Sequence, residues 1–453
     1  MKRDLTQGSI AKHIVSMSVP SMFGLMSQSL YDIADMIWIG RISVKAVAAV
    51  TIFVSIFWLF EVLNEIIGMS SVSLISQSYG AGNNERARRA SEQTILFKFA
   101  IAVFAAVLML LLVKPIMSFY SPDQQVRSLG MDYGKIRIYF LPLFFSSYSV
   151  NTIFRCSGDA RTPMVLLVIT SLLNIILDPI FMFDTIPIIG LPGFGMGVKG
   201  AAVATVISVS TAFFIGFFLL MSGKAHIKLT WRGLVTFDRE LDWKLITIGL
   251  PSGAEMFLRN MANSLFLKLI VVYGTAAIAV VGVGSRILGF LFMPILGLLM
   301  GSGTITGQNL GAGKIDRAAK TAWYSAWIGI GVVGLLVAVI LIFPGQIINL
   351  FISDSEFYLE GITMLRLTTP SLIIAAFGLG FATVFSGSGL NLPFLYSCLI
   401  ARWLIMLPYA WVVVVLLKLP ITYVWMSFII AEIFEAGYMF ISFKKGKWKL
   451  KRV

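Results

Sequence analysis

Long apolar stretches with only scattered polar residues recur along the whole chain and determine its predicted secondary structure. A helix needs about 20 predominantly apolar residues to cross the hydrocarbon core of a bilayer. Stretches of this kind recur about twelve times and predict that many membrane-spanning helices. Their approximate limits are 13–40, 47–78, 92–113, 129–155, 162–183, 198–221, 244–273, 276–308, 320–343, 361–388, 392–417 and 420–442.

Small and polar residues within and between these stretches repeat at a constant offset of 231 residues. Pro20-Ser21 returns as Pro251-Ser252, and the Gly80-Ala81-Gly82 turn returns as Gly311-Ala312-Gly313. Six spans precede residue 222 and six follow residue 243, so the chain contains one helical unit twice. Because an even number of spans leaves both copies in the same orientation, the repeats are parallel, and internal repeats of this kind are typical of transporters.

The sequence therefore predicts an all-α polytopic membrane protein made of two six-helix bundles. The first bundle covers 1–221, and the second covers 244–453 and includes a basic tail. The longest polar connection, 222–243, is interpreted as a cytoplasmic linker between two rigid lobes.

Composition and charge support this assignment and give its orientation. Hydrophobic residues make up 58% of the chain and charged residues 13%. A soluble protein of this composition could not bury all of its apolar surface. With the N-terminus in the cytoplasm, most of the 36 Lys and Arg fall in cytoplasmic segments, which predicts a cell-membrane protein with both termini inside. The net charge of +14 is explained by attraction to anionic inner-leaflet lipid, so no nucleic-acid partner is expected.

Enzyme motifs lack the context that they require. The glycines of 195–200 spell GxGxxG, but they follow a Pro/Gly loop and precede a membrane span instead of lying in a βαβ unit. Close helix packing is the simpler interpretation of these glycines. The only histidines, His13 and His226, lie in or near cytoplasmic segments, so we expect no enzyme, no cofactor and no histidine metal centre within the membrane.

Polar residues inside the spans of the first half are the candidate functional site. A carboxylate in the hydrocarbon is costly and usually faces an internal cavity. Asp35 lies toward the outer end of the first span, Asn174 and Asp178 share one face of the fifth, and Thr205 lies at similar depth in the sixth. Two carboxylates, an amide and a hydroxyl form an all-oxygen set suited to a hard monovalent cation or, because neighbouring carboxylates in a low dielectric favour protonation, to proton exchange.

The second repeat lacks this chemistry. At the 231-residue offset Asp35 becomes Phe266 and Asn151 becomes Ala382, while the counterpart of the Asn174–Asp178 region, 404–408, contains no carboxylate. Repeat architecture alone would have kept these positions alike, so the difference favours a functional role in the first half.

Other polar residues within the spans leave alternatives open. A set of charged side chains could form internal ion pairs, snorkel to the membrane interface or contact the substrate, and the sequence does not decide among these roles. These are Glu61, Glu65, Glu255, Arg259, Lys268, Arg286, Arg366 and Arg402. Glu432 and Glu435 lie in the last span, and the sequence assigns them no role. Pro20 interrupts the first span about four turns from Asp35, and we hypothesise that it is a hinge at which this helix bends.

The whole chain resembles the multidrug and toxic compound extrusion (MATE) transporters, and in particular their DinF-like and archaeal members. The resemblance rests on the two Pro-Ser pairs, the two Gly-Ala-Gly turns, the 31–40 run around Asp35, and Leu173-Asn174-Ile175-Ile176-Leu177-Asp178-Pro179. It implies two six-helix lobes forming a V, alternating access, and export of amphipathic, usually cationic, compounds driven by Na⁺ or H⁺.

The resemblance also assigns residues. Asp35, Asn174, Asp178 and Thr205 match the N-lobe cation or proton site of these members, while Tyr133 and Asn151 match further cavity positions. Independently of the resemblance, Asp32 lies one turn from Asp35 and is either a third residue of the substrate cavity or a residue that faces the lobe interior. NorM-like members carry a functional glutamate where this chain has Arg259, which favours the N-lobe mechanism.

We therefore expect a cation-coupled efflux antiporter that binds a small amphipathic molecule, contacts membrane lipid and works as a monomer. The alternative is a lipid or lipid-linked saccharide flippase of related architecture. A passive channel is disfavoured, since nothing indicates a pore lined symmetrically by both halves. The sequence leaves the substrate and the choice between Na⁺ and H⁺ open.

Overall fold

The computed structural model describes residues 4–187, 189–349 and 355–453, and these residues are almost entirely helical. Within those ranges the only β-pairing is an isolated bridge between Thr185 and Pro192. Ten helices in the described part of the chain are long and apolar enough to cross a membrane. The all-α polytopic fold class is thereby confirmed, and the predicted count of about twelve spans is consistent with it.

The first seven helices cover the first repeat. They are α1 (Ile10–Ile42), α2 (Val44–Gly80), α3 (Asn84–Tyr120), α4 (Gln124–Tyr139), α5 (Leu141–Cys156), α6 (Arg161–Met182) and α7 (Val198–Met221). The predicted span 13–40 falls on α1, and the predicted span 129–155 falls on α4 and α5, which meet at Phe140. Pro142 stands in the first turn of α5, where a proline is tolerated because its missing N–H has no helical partner to lose.

The remaining helices cover the second repeat. They are α8 (Arg239–Ile270, extended by a 3₁₀ turn at Val271–Tyr273), α9 (Thr275–Gly311), α10 (Ile315–Ile342), α11 (Pro344–Asn349), α12 (Ser355–Thr368), α13 (Ser371–Ser388), α14 (Leu392–Cys398), α15 (Leu407–Trp411) and α16 (Ile421–Lys445). Two π-helical segments, Leu399–Met406 and Val412–Leu416, flank α15 and continue the span that begins with α14. A short 3₁₀ turn, Lys447–Lys449, follows α16.

The Gly-Ala-Gly turns have the same geometry in both repeats. Gly82 and Gly313 each have φ +74°, a left-handed conformation that a glycine adopts without strain. The N–H of the preceding alanine bonds to the carbonyl of Gln77 in one repeat and of Gln308 in the other, each at 2.9 Å. These turns end α2 and α9 with the same αL cap, so the sequence repeat is also a structural repeat at this point.

Contacts between residues divide the chain into two compact units. The first unit comprises Phe23–Gly249, and the second comprises Asp4–Met22 together with Leu250–Val453. The opening helix of each repeat is therefore shared: α1 changes unit after Met22, and α8 changes unit after Gly249.

Glycines bring α1 close to neighbouring helices in both units, against backbone in the second unit and against a leucine side chain in the first. In the second unit, a Cβ on Gly301 would lie 2.9 Å from the backbone nitrogen of Ser18, and a Cβ on Gly297 would lie 2.8 Å from that of Met22. In the first unit, Gly24 faces Leu167 of α6, where an added Cβ would lie 2.8 Å from Leu167 Cδ1. Glycines therefore permit close helix packing on both sides of Pro20, which lies within the continuous α1 helix.

The connection between α7 and α8 packs onto α3 within the first unit. The buried Glu92 carboxylate accepts hydrogen bonds from the backbone N–H and the hydroxyl of Thr230, at 2.7 and 2.8 Å. Gln93 donates from Nε2 to the carbonyl of Thr236 at 2.6 Å and accepts from the N–H of Asp238 at 3.1 Å. The polar connection is thus held to the bundle by buried hydrogen bonds.

Tight packing in the second unit depends on a glycine of α13. A Cβ at Gly380 would lie 2.4 Å from Ala326 Cα and 2.5 Å from Ala326 N, both in the backbone of α10. The adjacent Trp323 ring packs against Phe381 with ring centroids 4.9 Å apart. Backbone atoms cannot rotate away as a side chain does, so the helix–helix distance here requires glycine.

We expect Gly380→Ala to destabilise the protein by about 1–3 kcal/mol, because the added methyl group overpacks a backbone contact. The matched control is Gly331→Ala in α10, where an added Cβ meets nothing within 4 Å. That control is expected to be neutral or to stabilise by up to about 1 kcal/mol through helix propensity. Thermal unfolding of the two purified variants in detergent measures the difference, and equal shifts would contradict the packing argument.

Candidate functional site

Three of the predicted cation-site residues lie together between α6 and α7. The amide Nδ2 of Asn174 donates to Asp178 Oδ1 at 3.2 Å and to Thr205 Oγ1 at 3.3 Å. The Thr205 hydroxyl donates to the carbonyl of Ala201 at 2.9 Å, which leaves its lone pairs to face Asn174. All three side chains are buried. The i, i+4 spacing on α6 places Asn174 and Asp178 on one face, as predicted from the sequence.

The glycine-rich stretch before α7 brings Thr205 to this position. The N–H groups of Phe194, Met196 and Gly197 bond to carbonyls in the last turn of α6 and its end, at 2.9–3.0 Å. Gly195 and Gly197 both have φ +60°. A Cβ on Gly200 would lie 2.5 Å from the carbonyl oxygen of Phe181, so α7 starts in direct contact with the end of α6. The GxGxxG pattern therefore serves close helix packing.

Asp35 contributes the second carboxylate from α1. Its side chain is 7% exposed, and its charge acts on the carboxylate of Asp178. Among the described residues, Asp35 Oδ1, Asn174 Oδ1 and Asp178 Oδ2 are buried acceptors without a hydrogen-bond donor. Buried acceptors are rarely left unpaired, because desolvating them without a partner costs about 1–3 kcal/mol each. This oxygen cluster fits a small cation or a proton.

The second repeat is apolar where the first has Asp35. Phe266 of α8 is 4% exposed and packs edge-to-face against Phe428, with ring centroids 5.4 Å apart. It belongs to an apolar cluster with Met406 and Trp425. Phe266 therefore stabilises the second unit through burial of its apolar ring. At this position the second unit has no acceptor oxygen that corresponds to the Asp35 carboxylate.

The three predicted cavity residues are placed differently from one another. Tyr133 is fully buried on α4 and accepts a hydrogen bond from Arg137 Nη1 at 2.9 Å. Asp32 stands on α1 with an exposed side chain, and its charge acts on Arg137. Asn151 is buried on α5, and no hydrogen bond that the structure describes joins it to the oxygen cluster.

Two cations inside the first unit, the half-buried Arg137 and the buried Lys98, were missed by the sequence analysis. Arg137 follows Tyr133 by four residues, and this i, i+4 spacing on a short amphipathic helix was the available signal. Lys98 of α3 is 1% exposed, and the charges of Glu61 and Glu65 on α2 act on it. Its burial depends on packing between α2 and α3, which periodicity within one helix does not reveal.

The second unit contains an ion-pair network that involves three helical segments and is buried at Arg402 and Glu435 and half-buried elsewhere. Arg259 of α8 pairs with Glu255 at 2.5 Å and with Glu435 of α16 at 2.6 Å. Arg402, within the π-helical segment 399–406, pairs with Glu432 and lies 3.4 Å from Glu435. Of the alternatives left open for these residues, the structure shows internal ion pairs.

The other membrane-level cations of the second unit have a different environment. Lys268, Arg286 and Arg366 are exposed on the surface of their helices. None forms an ion pair within 4.0 Å in the part of the chain that the structure describes. They are thus separate from the network around Arg259 and Arg402.

Comparison with protein-family models gives a match to MatE at residues 20–180 and 251–412. The two matches begin at the paired prolines, so they follow the internal repeat. They cover more than half of the chain.

Individual proteins are similar over most of their length. The probable multidrug resistance protein YoeA of Bacillus subtilis is 28% identical over 440 residues, covering 96% of this chain and 93% of the relative. An FAD transporter of Shewanella oneidensis is 25% identical over 388 residues, covering 85% and 83%. Among solved structures, a MOP superfamily transporter from Pyrococcus furiosus has a TM-score of 0.91 at 25% identity and covers 99% of this chain and 98% of its own.

We expect Arg402→Met to lower the free energy of unfolding by about 3–5 kcal/mol, because it leaves the Glu432 carboxylate without its ion-pair partner and removes one of the two partners of Glu435. The control Arg366→Met removes an exposed charge at membrane level and should change stability by less than about 1 kcal/mol. The double variant Arg402→Met/Glu432→Gln should recover part of the loss. Unfolding midpoints in detergent test this order, and similar midpoints for both single variants would contradict it.

Proposed function

Because the chain belongs to the MatE family, a family of membrane transporters, we propose that it is a secondary active efflux antiporter. In this proposal it exports amphipathic, cationic compounds in exchange for Na⁺ or H⁺ by alternating access. The chain is a multi-pass membrane protein, and we propose that it works as a monomer in the cell membrane with both termini in the cytoplasm. Its partners would be a small-molecule substrate and membrane lipid.

The observation that carries this proposal is the unpaired oxygen cluster of the first unit. Asp35, Asn174 and Asp178 each present a buried acceptor that has no donor. Oxygen ligands suit a hard cation such as Na⁺, and a carboxylate pair can also share a proton. Without a cation, the Asp35 and Asp178 carboxylates repel each other in an apolar interior. Cation binding and release therefore change the interaction energy between α1 and α6.

The substrate class rests on the names of the relatives as well as on the site. YoeA of Bacillus subtilis is named a probable multidrug resistance protein, which supports export of varied amphipathic compounds. The Shewanella oneidensis relative is named an FAD transporter, so an aromatic dinucleotide belongs in any substrate panel.

We expect Asp35→Asn and Asp178→Asn each to reduce cation-driven efflux at least about hundredfold, because an amide neither carries the charge nor exchanges the proton. Efflux is measured in proteoliposomes under a Na⁺ gradient or a pH gradient, imposed separately, with a panel of cationic dyes and FAD. The gradient that drives wild-type efflux identifies the coupling ion.

The matched control is Asp159→Asn, since Asp159 accepts hydrogen bonds from the N–H groups of Arg161 and Thr162 at 3.0 Å and an amide oxygen can do the same. This variant should transport as the wild type does. Unchanged efflux in both cluster variants would refute the site. Movement of lipid-linked saccharides without export of any soluble compound would support the flippase alternative.

Pro20 is proposed as a hinge in α1. The proline leaves one backbone carbonyl of the helix without its N–H partner and lowers the resistance to bending. The change of unit after Met22 lies two residues beyond it. We expect Pro20→Ala to keep cation binding and to slow efflux about tenfold or more. The control is Pro115→Ala in α3, which lies within one unit. Full transport and ion coupling in Pro20→Ala would rule the hinge out.

A further inference from the structure

Arg137 is enclosed by aromatic side chains in the interior of the first unit. Its Nη1 donates to the Tyr133 hydroxyl at 2.9 Å, and its Cζ lies 4.9 Å from the ring centroid of Phe57 and 4.9 Å from that of Phe144. These two rings, from α2 and α5, also meet each other edge-to-face at 6.3 Å. The guanidinium is thus stabilised by ring faces as well as by one hydrogen bond.

Three carboxylates and three tyrosine hydroxyls act electrostatically on this guanidinium. Carboxylates of α1 and α2 and tyrosines of α1, α4 and α5 interact electrostatically with it: Asp32, Asp35, Glu61, Tyr31, Tyr133 and Tyr148. Within the described residues, however, no carboxylate lies within 4.0 Å of Arg137, and its buried Nε has no hydrogen-bond partner. An arginine that lies partly inside a helical bundle is normally paired directly with an acid, so fold stability alone does not explain this arrangement.

We infer that Arg137 is a built-in counter-charge for the cation site, stabilising the Asp35 carboxylate when the coupling cation has left. The inference rests on the proposed antiport function. An arginine keeps its charge at every accessible pH, so its field acts in both the occupied and the empty state of the site. A bound cation is repelled by this field, whereas the empty site is stabilised by it. Arg137 is therefore a positioning residue that acts through Asp35 and promotes release.

The aromatic enclosure explains why the charge does not simply block the site. A direct Arg137–Asp35 ion pair would compete with the coupling cation for the same oxygen. Phe57 and Phe144 satisfy the guanidinium faces and hold the side chain beside Tyr133, at a distance from the carboxylate. The Asp35 carboxylate is thus stabilised by the positive charge of Arg137 and still has an oxygen free to accept the cation.

The test is the affinity for the coupling cation. Na⁺ alone is titrated into the purified full-length protein by calorimetry, and proton release is followed separately in a pH jump. Arg137→Gln should bind the coupling cation at least about tenfold more tightly and export substrate more slowly, because release becomes limiting. Arg137→Lys keeps the charge and should remain within about threefold of wild type.

Two further variants separate the field from a structural effect. Arg41→Gln removes an exposed arginine that also lies over a ring, Trp38 at 4.7 Å, and should leave cation affinity unchanged. Phe144→Leu opens the enclosure and keeps the charge, so Arg137 can approach Asp35. This variant should bind the cation more weakly, the opposite sign to Arg137→Gln.

The outcomes distinguish this inference from the proposed function. Wild-type protein that binds neither Na⁺ nor protons would overturn the antiport proposal and the inference together. Cation binding that needs Asp35 but is unchanged or weaker in Arg137→Gln would overturn the inference alone. Equal affinities in Arg137→Gln and Phe144→Leu would also overturn it.

Discussion

Charge within an apolar bundle is the constraint on which the rest of this structure depends. Inside the membrane a charged side chain must be paired, neutralised or placed in the field of an opposite charge. The second unit pairs its charges directly, as in the contacts of Arg259 with Glu255 and Glu435. Over the described ranges, the first unit leaves one oxygen of Asp35 (Oδ1) and one of Asp178 (Oδ2) without a hydrogen-bond partner and holds Arg137 beside Tyr133, outside ion-pair distance of both carboxylates. In the proposed mechanism the two repeats would use one scaffold for opposite purposes, rigidity in the second unit and reversible cation occupancy in the first.

Much of this architecture could be predicted from the sequence because its signals are local or periodic. The spans follow from apolar length, and the turns at Gly82 and Gly313 follow from glycine requirements repeated at a fixed offset. The grouping of Asn174 with Asp178 follows from their spacing on one helix face. Thr205 was predicted to lie at the same membrane depth as Asn174 and Asp178, and it does contact Asn174. This depth could be predicted because α6 ends and α7 begins at the same side of the membrane.

Other features were beyond sequence reasoning because they depend on contacts between helices. The enclosure of Arg137 needs rings from α2 and α5, and the burial of Lys98 needs α2 against α3. The π-helical segment around Arg402 departs from the 3.6-residue period that apolar patterning assumes, and such segments are often associated with functional positions. The roles of Asp35, Asn174, Asp178 and Thr205, and those of the cavity residues, stay predictions.

The sharing of α1 between the two units has a consequence for biosynthesis. Residues 4–22 belong to the second unit, and their close partners on α9 are Gly297 and Gly301. About 280 residues after this segment must leave the ribosome before those partners exist, which takes on the order of tens of seconds at usual rates of synthesis. During that interval the amino-terminal turns of the first membrane helix lack their final neighbours. The second unit can therefore assemble only late, when the oldest segment of the nascent chain packs against one of its newer ones.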